Sequence, residues 1–292
     1  MGLADLLAIR YRASNLKQKP PPVLGSQGGN RLSKLRGRGI DFSEVRAYQP
    51  GDDIRTIDWR VTARKNKPHT KVFREERERL TLVVVDQTQS MFFGSQVRLK
   101  SVAAAEVAAT AAWQALNHND RVGGMIIGND QVAIHKPYRS VKAVARLLAD
   151  VARFNRALAA AAGQADGKNL HESLARLRRL AHTNYRIYLI SDFEPMGDHW
   201  RDTFRALARH NEVIAVRVYD PLEQELPPAD RYTVTDGLAR WQFHTGNRAL
   251  RQRYRDRFDA HQAEFKSICR RSRVRYRPLP TNEPVGHLGR WS

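Results

Sequence analysis

"LTLVVVDQTQSM", residues 80–91, decides how the rest of the chain is read. It runs through six apolar or β-branched residues and then turns at once to a carboxylate, amides and two hydroxyls. A short apolar run bounded by turn residues is the pattern of a strand buried on both faces. Such strands belong to parallel sheets covered by helices. Asp86 would then stand at the carboxyl end of a strand, the edge where open α/β sheets bind their ligands.

The flanking sequence supports that frame. "SQVRLKSVAAAEVAATAAWQALNH" (95–118) predicts a long alanine-rich helix. "RVGGMIIG" and "QVAIHKP", joined by "ND", predict a hairpin. Helices are expected over "VKAVARLLADVARF" (141–154) and "NLHESLARLRRLAH" (169–182), the second opened by a capping box of Asn169 with Glu172. "YRIYLISD" (185–192) is a second buried strand ending in a carboxylate, Asp192. A helix near 199–209, the strand "EVIAVRVYD" (212–220), a short hairpin from "RYTVTDG" and "ARWQFHT", a helix over 247–271 and the strand "RVRYRPLP" complete the pattern. In the last helix Leu250, Tyr254, Phe258, His261, Phe265 and Ile268 form an apolar stripe, with arginines on the other side. The expected fold is α/β: a mostly parallel sheet with helices on both faces, preceded by a small N-terminal β-rich block.

Four segments are expected. Residues 1–30 comprise an amphipathic helix, "MGLADLLAIRYRASNL", and a Pro/Gly-rich connector; residues 31–79 a polar, turn-rich block; residues 80–280 the sheet domain; residues 281–292 a tail. The first helix has its acid before and its arginines after the apolar part, the wrong order for a secretion signal. Leu6 stands where a myristoylation signal needs a hydroxyl. No run of eighteen apolar residues suggests a membrane span. One cysteine, Cys269, excludes an internal disulfide and a cysteine zinc site, which suits a reducing cytoplasm.

The net charge of +20 is uneven. Residues 1–79 carry 18 Lys/Arg against 9 Asp/Glu, and residues 247–292 carry 12 against 4. Basic ends favour acidic partners: protein surfaces, nucleic acid or anionic membrane. "RQRYRDRF" and "CRRSRVRYR" interleave arginine with aromatics, as single-stranded nucleic acid binders do, though the helical aromatics fall on the apolar stripe.

Enzyme signatures are missing. "GQADGKN" is one residue too short for a phosphate loop and has Asn169 after its lysine. There is no Gly-x-Ser-x-Gly elbow, and "HESLA" lacks the second histidine of a zinc protease. What remains is Asp86-x-Thr88-x-Ser90. Three oxygens at alternate positions of one turn suit a hard cation such as Mg²⁺ or Mn²⁺, and Asp192 would add a carboxylate. The same residues also make an ordinary turn, with Thr and Ser bonding local backbone. A metal-assisted hydrolase would use Asp86, Asp192 and a bound cation, but no positioned general base accompanies them.

"DQTQSM" after a buried strand, with "LISD" about a hundred residues later, resembles the von Willebrand factor A (vWA) fold. The preceding "GRGIDFSEVRAYQPGDDIRTIDWRVTARKNKPHTKVFREERE" is similar to the signature of the bacterial domain-of-unknown-function family 58. That resemblance implies a vWA-like, Rossmann-type domain with a metal-ion-dependent adhesion site. The site's first loop would be Asp86, Thr88 and Ser90, and its third loop Asp192. The resemblance further implies a non-enzymatic, protein-binding adaptor that works with a MoxR-type AAA+ ATPase in protein remodelling or maturation.

The second loop departs from the family pattern: "GKNL" puts Lys168 where a threonine ligand belongs. A protonated ammonium cannot ligate metal. Lys168 can neutralise the two aspartates in the metal's stead, or point to solvent while a metal binds with water in the vacant position; both readings stay open. Within the signature, Asp52, Asp53, Arg55, Asp58 and Arg64 surround Trp59. They suit a recognition surface or a structural lattice of Asp–Arg pairs, and the lattice is the expectation.

Overall fold

The structure is a computed structural model that describes residues 1–15, 40–75, 79–159, 168–195, 197–227, 230–235 and 240–285. The Pro/Gly-rich connector therefore lies outside the described residues. The chain forms two compact units, one of residues 1–21 with 79–292 and one of residues 22–78.

Elements are numbered in chain order. The larger unit holds α1 (Leu3–Asn15), β3 (Leu80–Gln87), α3 (Lys100–Asn117), β4 (Arg121–Gly128), β5 (Val132–Tyr138), α4 (Val141–Leu158), α5 (Lys168–Leu180), β6 (Tyr185–Ser191), α6 (Asp198–Ala208) and β7 (Glu212–Tyr219). A single-turn helix α7 (Pro221–Gln224), the hairpin β8 (Arg231–Thr235) and β9 (Arg240–His244), α8 (Arg248–Arg271) and β10 (Arg275–Pro280) follow. The smaller unit holds β1 (Ile40–Ala47), α2 (Trp59–Lys65) and β2 (His69–Glu75).

The central sheet has the order β10-β7-β6-β3-β4-β5. Every pairing is parallel except β4 with β5, which is antiparallel. Counted from β3, this is a doubly wound order with its crossover between β3 and β6, where chain connections leave in opposite directions. The fold is vWA-like, as the sequence implied. Asp86 and Asp192 end the two strands that flank the crossover.

Alternation along β3 divides the core. Val83 and Val85 face α1, α3 and α4, whereas Leu82 and Val84 face α5, α6 and α8. The alanines of α3 let it lie close to the sheet, and thirteen of its eighteen residues are buried. Helix α1 belongs to this unit. Leu6 is fully buried, its carbonyl accepts a bond from Trp113 Nε1 at 3.2 Å, and Arg10 lies over the Trp113 ring. Thr281 and Val285, in the segment expected to be a tail, are buried too.

Three local expectations change. Helix α3 begins at Lys100 rather than at residue 95, because the preceding residues are drawn elsewhere: the Ser95 N–H donates to Asp220 Oδ2 at 2.9 Å. Asn169 does not cap α5; it lies inside the helix, and its amide donates to the carbonyls of Gly128 and Gln131 in the β4–β5 turn. The stripe on α8 is buried only in its second half. Phe258, Phe265 and Ile268 are covered, and Leu250 is exposed.

In the smaller unit β1 and β2 pair antiparallel. Among the described residues the expected Asp–Arg lattice is represented by one bidentate pair, Arg46 with Asp52 at 2.7 and 2.8 Å. Asp53 caps a 3-10 turn over Ile54–Thr56, and Asp58 caps α2 through the N–H groups of Arg60 and Val61. An aspartate ahead of a helix satisfies backbone donors that would otherwise lack partners, and here capping outcompeted the arginines. Trp59, Arg55 and Arg64 are exposed.

Leu6→Ala should cost about 2–5 kcal/mol, because it empties a fully buried leucine position between α1 and α3. Denaturant unfolding measures it; a loss under about 0.5 kcal/mol, as at ordinary surface positions, would mean that α1 is not part of the core.

Candidate functional site

The strand-end residues converge at the carboxyl edge. Asp86 is almost completely buried. Its Oδ1 accepts from the Thr88 N–H at 2.9 Å and the Thr88 hydroxyl at 2.7 Å, and its Oδ2 from the Ser191 hydroxyl at 2.6 Å. The Thr88 and Ser90 hydroxyl oxygens lie 3.2 Å apart. Asp86, Thr88 and Ser90 thus form one connected oxygen cluster, held below by Ser191 of β6. Asn129, in the β4–β5 turn, accepts the N–H of Gln89 at 2.8 Å and fixes the loop from the other side.

Asp192 is equally buried and is close enough to Asp86 for their charges to repel. Its Oδ1 accepts the Glu194 N–H at 3.1 Å. Its Oδ2 accepts from the ε-ammonium of Lys100 at 2.9 Å. The same ammonium donates to Glu223 Oε1 at 2.7 Å and sits 6.0 Å from the centre of the Phe93 ring. The Lys100 and Asp192 side chains are each only 3% exposed, so this is a charge pair without bulk water.

Lys168 opens α5, and its side chain lies outside the described residues. The ammonium that the described residues place at this edge is that of Lys100. The sequence held a signal for it. Lys100, Ala103, Ala104, Val107, Ala108 and Ala111 recur at three- and four-residue steps along one buried stripe of α3. A lysine on a buried stripe must find carboxylates, since an isolated buried charge is prohibitively costly.

Glu223 is held in turn by Asp220, which is fully buried. Asp220 accepts from the Ser95 N–H and hydroxyl, the Thr281 hydroxyl at 2.6 Å and the Leu222 N–H at 3.0 Å. Glu223 Oε2 accepts the Asp220 N–H at 2.8 Å and so completes a capping box. The segment before α3, the end of β7 and the end of β10 are therefore tied at one carboxylate.

The turn after Asp192 is also fixed. Phe193 has φ +60°, a backbone region unfavourable for a bulky residue. Its ring is fully buried against Trp200 and Phe265, each at 4.7 Å, and its N–H donates to Ser191 Oγ. The packing of the ring holds the backbone in this conformation and aims Asp192 and Glu194 toward the edge.

Burial, and then the charge of Asp192, push the Asp86 carboxyl up to about 6. Burial and Asp192 likewise push Glu194 up to about 7. Burial alone would lower the Lys100 pKa, but Asp192 and Glu223 outweigh it and hold Lys100 protonated beyond the ordinary lysine value. Arg217 donates to His261 Nδ1 at 3.0 Å; burial, and then the Arg217 charge, lower the His261 pKa.

A cavity of about 530 Å³ adjoins the cluster, lined among others by Asp192, Glu194, Arg217, Glu223, Tyr254 and His261. Of the aromatics interleaved with arginine, Phe258 is buried and the Tyr254 hydroxyl donates to the Leu222 carbonyl. A second, apolar cavity of about 350 Å³ is lined by Leu80 and Tyr185, at the strand starts, and contains neither strand-end aspartate.

A hard divalent cation would find oxygens here from Asp86, Thr88 and Ser90. Asp192, however, already has one oxygen on an ammonium and the other on a backbone N–H. Among the described residues no group of three or more Asp, Glu, His or Cys side chains is arranged to hold a metal ion. A divalent ion that used Asp192 would therefore have to share it with the Lys100 ammonium.

Asp86→Asn should stabilise the chain in EDTA at pH 7.5 by on the order of 2 kcal/mol, since it removes a buried charge and keeps the acceptor for Thr88. A carboxyl raised on folding contributes stability below its unfolded pKa and loses it as pH rises through the folded one. Denaturant unfolding of the parent chain should therefore weaken from pH 5.5 to 7.5, and Asp86→Asn should reduce that slope. A slope identical in both chains would contradict the assignment.

The protein called Uncharacterized protein Rv1480 of Mycobacterium tuberculosis (strain ATCC 25618 / H37Rv) is 32% identical over 231 residues, 78% of this chain and 69% of that protein. Uncharacterized protein Mb1516 of Mycobacterium bovis matches equally. Among solved structures, the conserved hypothetical protein BatB from Bacteroides thetaiotaomicron is 12% identical with a TM-score of 0.41, covering 71% of this chain and 92% of that one. The SpRpn10 VWA domain is 13% identical with a TM-score of 0.40, covering 74% and 96%. Residues 44–264 match the family described as "Protein of unknown function DUF58". The match spans both the signature block and most of the sheet domain, and the chain belongs to the DUF58 family.

Proposed function

We propose that this chain is a non-enzymatic adaptor that docks a protein partner at the carboxyl edge of its sheet, and that the partner is a MoxR-type AAA+ ATPase engaged in protein remodelling or maturation. The observation that carries the reading is the connected cluster of Asp86, Thr88 and Ser90, with Asp192 near it on the wall of an open cavity, at the crossover of a vWA-like sheet. Such an edge gathers loops from several strands on a rigid scaffold, which is where open α/β sheets place their binding sites. The ATPase itself comes from the family resemblance. The basic ends add electrostatic attraction toward an acidic partner surface. The cavity mixes carboxylates with Arg217 and Arg257, so side chains of either sign on the partner find an opposite charge.

The test is capture of a purified MoxR-type AAA+ ATPase by the tagged full chain. Ser90→Ala and Glu194→Gln should weaken capture by roughly ten-fold, the size of one lost polar contact at an interface. Arg205→Ala, an exposed position on α6, should leave it unchanged. Equal capture by all three variants would place the docking surface elsewhere.

A further inference from the structure

The docking reading leaves the nature of the cation at this edge undecided, and the present inference rests on that reading. We propose that the ε-ammonium of Lys100 takes the place of the divalent ion, so that the edge carries its own fixed cation and holds no metal. Three observations converge on it. The ammonium bonds Asp192, the strand-end carboxylate of the third loop, at 2.9 Å. It bonds Glu223, from the segment after β7, at 2.7 Å. And it is 3% exposed, so the charge is enclosed rather than resting on the surface.

A bound metal joins loops by accepting one ligand from each. Lys100 does the same by donation: rooted at the first residue of α3, it ties the loop after β6 to the segment after β7. Its position is fixed on every side. The Lys100 N–H donates to the Phe93 carbonyl at 2.7 Å, Asp220 holds Ser95 just upstream, and the Asp220–Glu223 capping box aims the second carboxylate. A divalent ion that used Asp192 would have to share it with a positive charge that has no water to retreat into. Electrostatic repulsion in so enclosed a place works strongly against that.

The first loop remains able to offer oxygens, and this makes the proposal testable in both directions. Removing the ammonium frees Asp192 and Glu223 and should create the metal site that Lys100 displaces. The experiment is an equilibrium titration of the isolated full chain with Mn²⁺ alone, followed by calorimetry and by the electron paramagnetic resonance of free Mn²⁺. The parent chain should bind no tighter than about 1 mM, the range of the weakest protein cation sites. Lys100→Ala should bind at least about ten-fold tighter, and adding Asp192→Ala should abolish the gain, as loss of a supporting ligand does.

Micromolar binding by the parent chain, lost in Asp86→Ala, would overturn the proposal without any need for the lysine variant. So would a folded Lys100→Ala chain that still ignores Mn²⁺. Should Lys100→Ala not fold, Lys100→Gln preserves much of the side-chain volume without the charge and carries the same expectation. No partner takes part in the titration. A metal-binding parent chain that still loses ATPase capture in Ser90→Ala would end this proposal and leave the docking reading standing; the opposite pair of results would do the reverse.

Discussion

A positive charge enclosed at the head of a helix has to be answered, and in this protein the answer organises the whole upper edge of the sheet. Lys100 lies on the buried stripe of α3, where its neighbours are alanines and valines. Taking an ammonium out of water costs several kcal/mol even after relaxation, and only well-placed carboxylates offset it. Asp192 and Glu223 are those carboxylates, and they come from two separate crossings of the sheet. The ammonium therefore demands that both loops arrive correctly. In return it relieves two acids that would otherwise repel each other beside a third, Asp86.

The supporting structure follows from that demand. Asp220 spends its acceptors on four donors, and so presents Glu223 from a helix of one turn that has little stability of its own. Phe193 holds an unfavourable backbone angle because its ring fills a pocket among aromatic neighbours. Both are cases of a local cost carried by distant packing, which is how a rigid scaffold keeps an edge poised.

The fold was largely legible because its signals are local. The run from Leu80 to Val85 declares a strand buried on both faces, and the alternation of its side chains between two cores bears this out. The oxygen cluster was legible for the same reason: Asp86, Thr88 and Ser90 lie within five residues. Lys100, Glu223, Asp220 and Ser191 were not, since their partnership exists only after strands far apart in sequence are brought together. Sequence spacing drew attention to Lys168, whose neighbours match a family pattern, and away from Lys100, whose stripe position carried the better physical clue. The Asp–Arg block misled in a simpler way. Aspartates ahead of short helices have backbone N–H groups within reach before any arginine is, so Asp53 and Asp58 became caps.

The bond from Thr281 to Asp220 has a consequence for the order of assembly. Strand β10 is an edge strand near the end of the chain, paired only to β7. Through Thr281 it supplies one of the donors that fix Asp220, and through Asp220 it steadies Glu223 against Lys100. The edge where the strands present their loops is thus completed by a residue that follows all six strands of the sheet in the chain. A chain synthesised only as far as β7 has its strand-end aspartates but not the clasp that sets them, so the finished surface waits for β10 and Thr281.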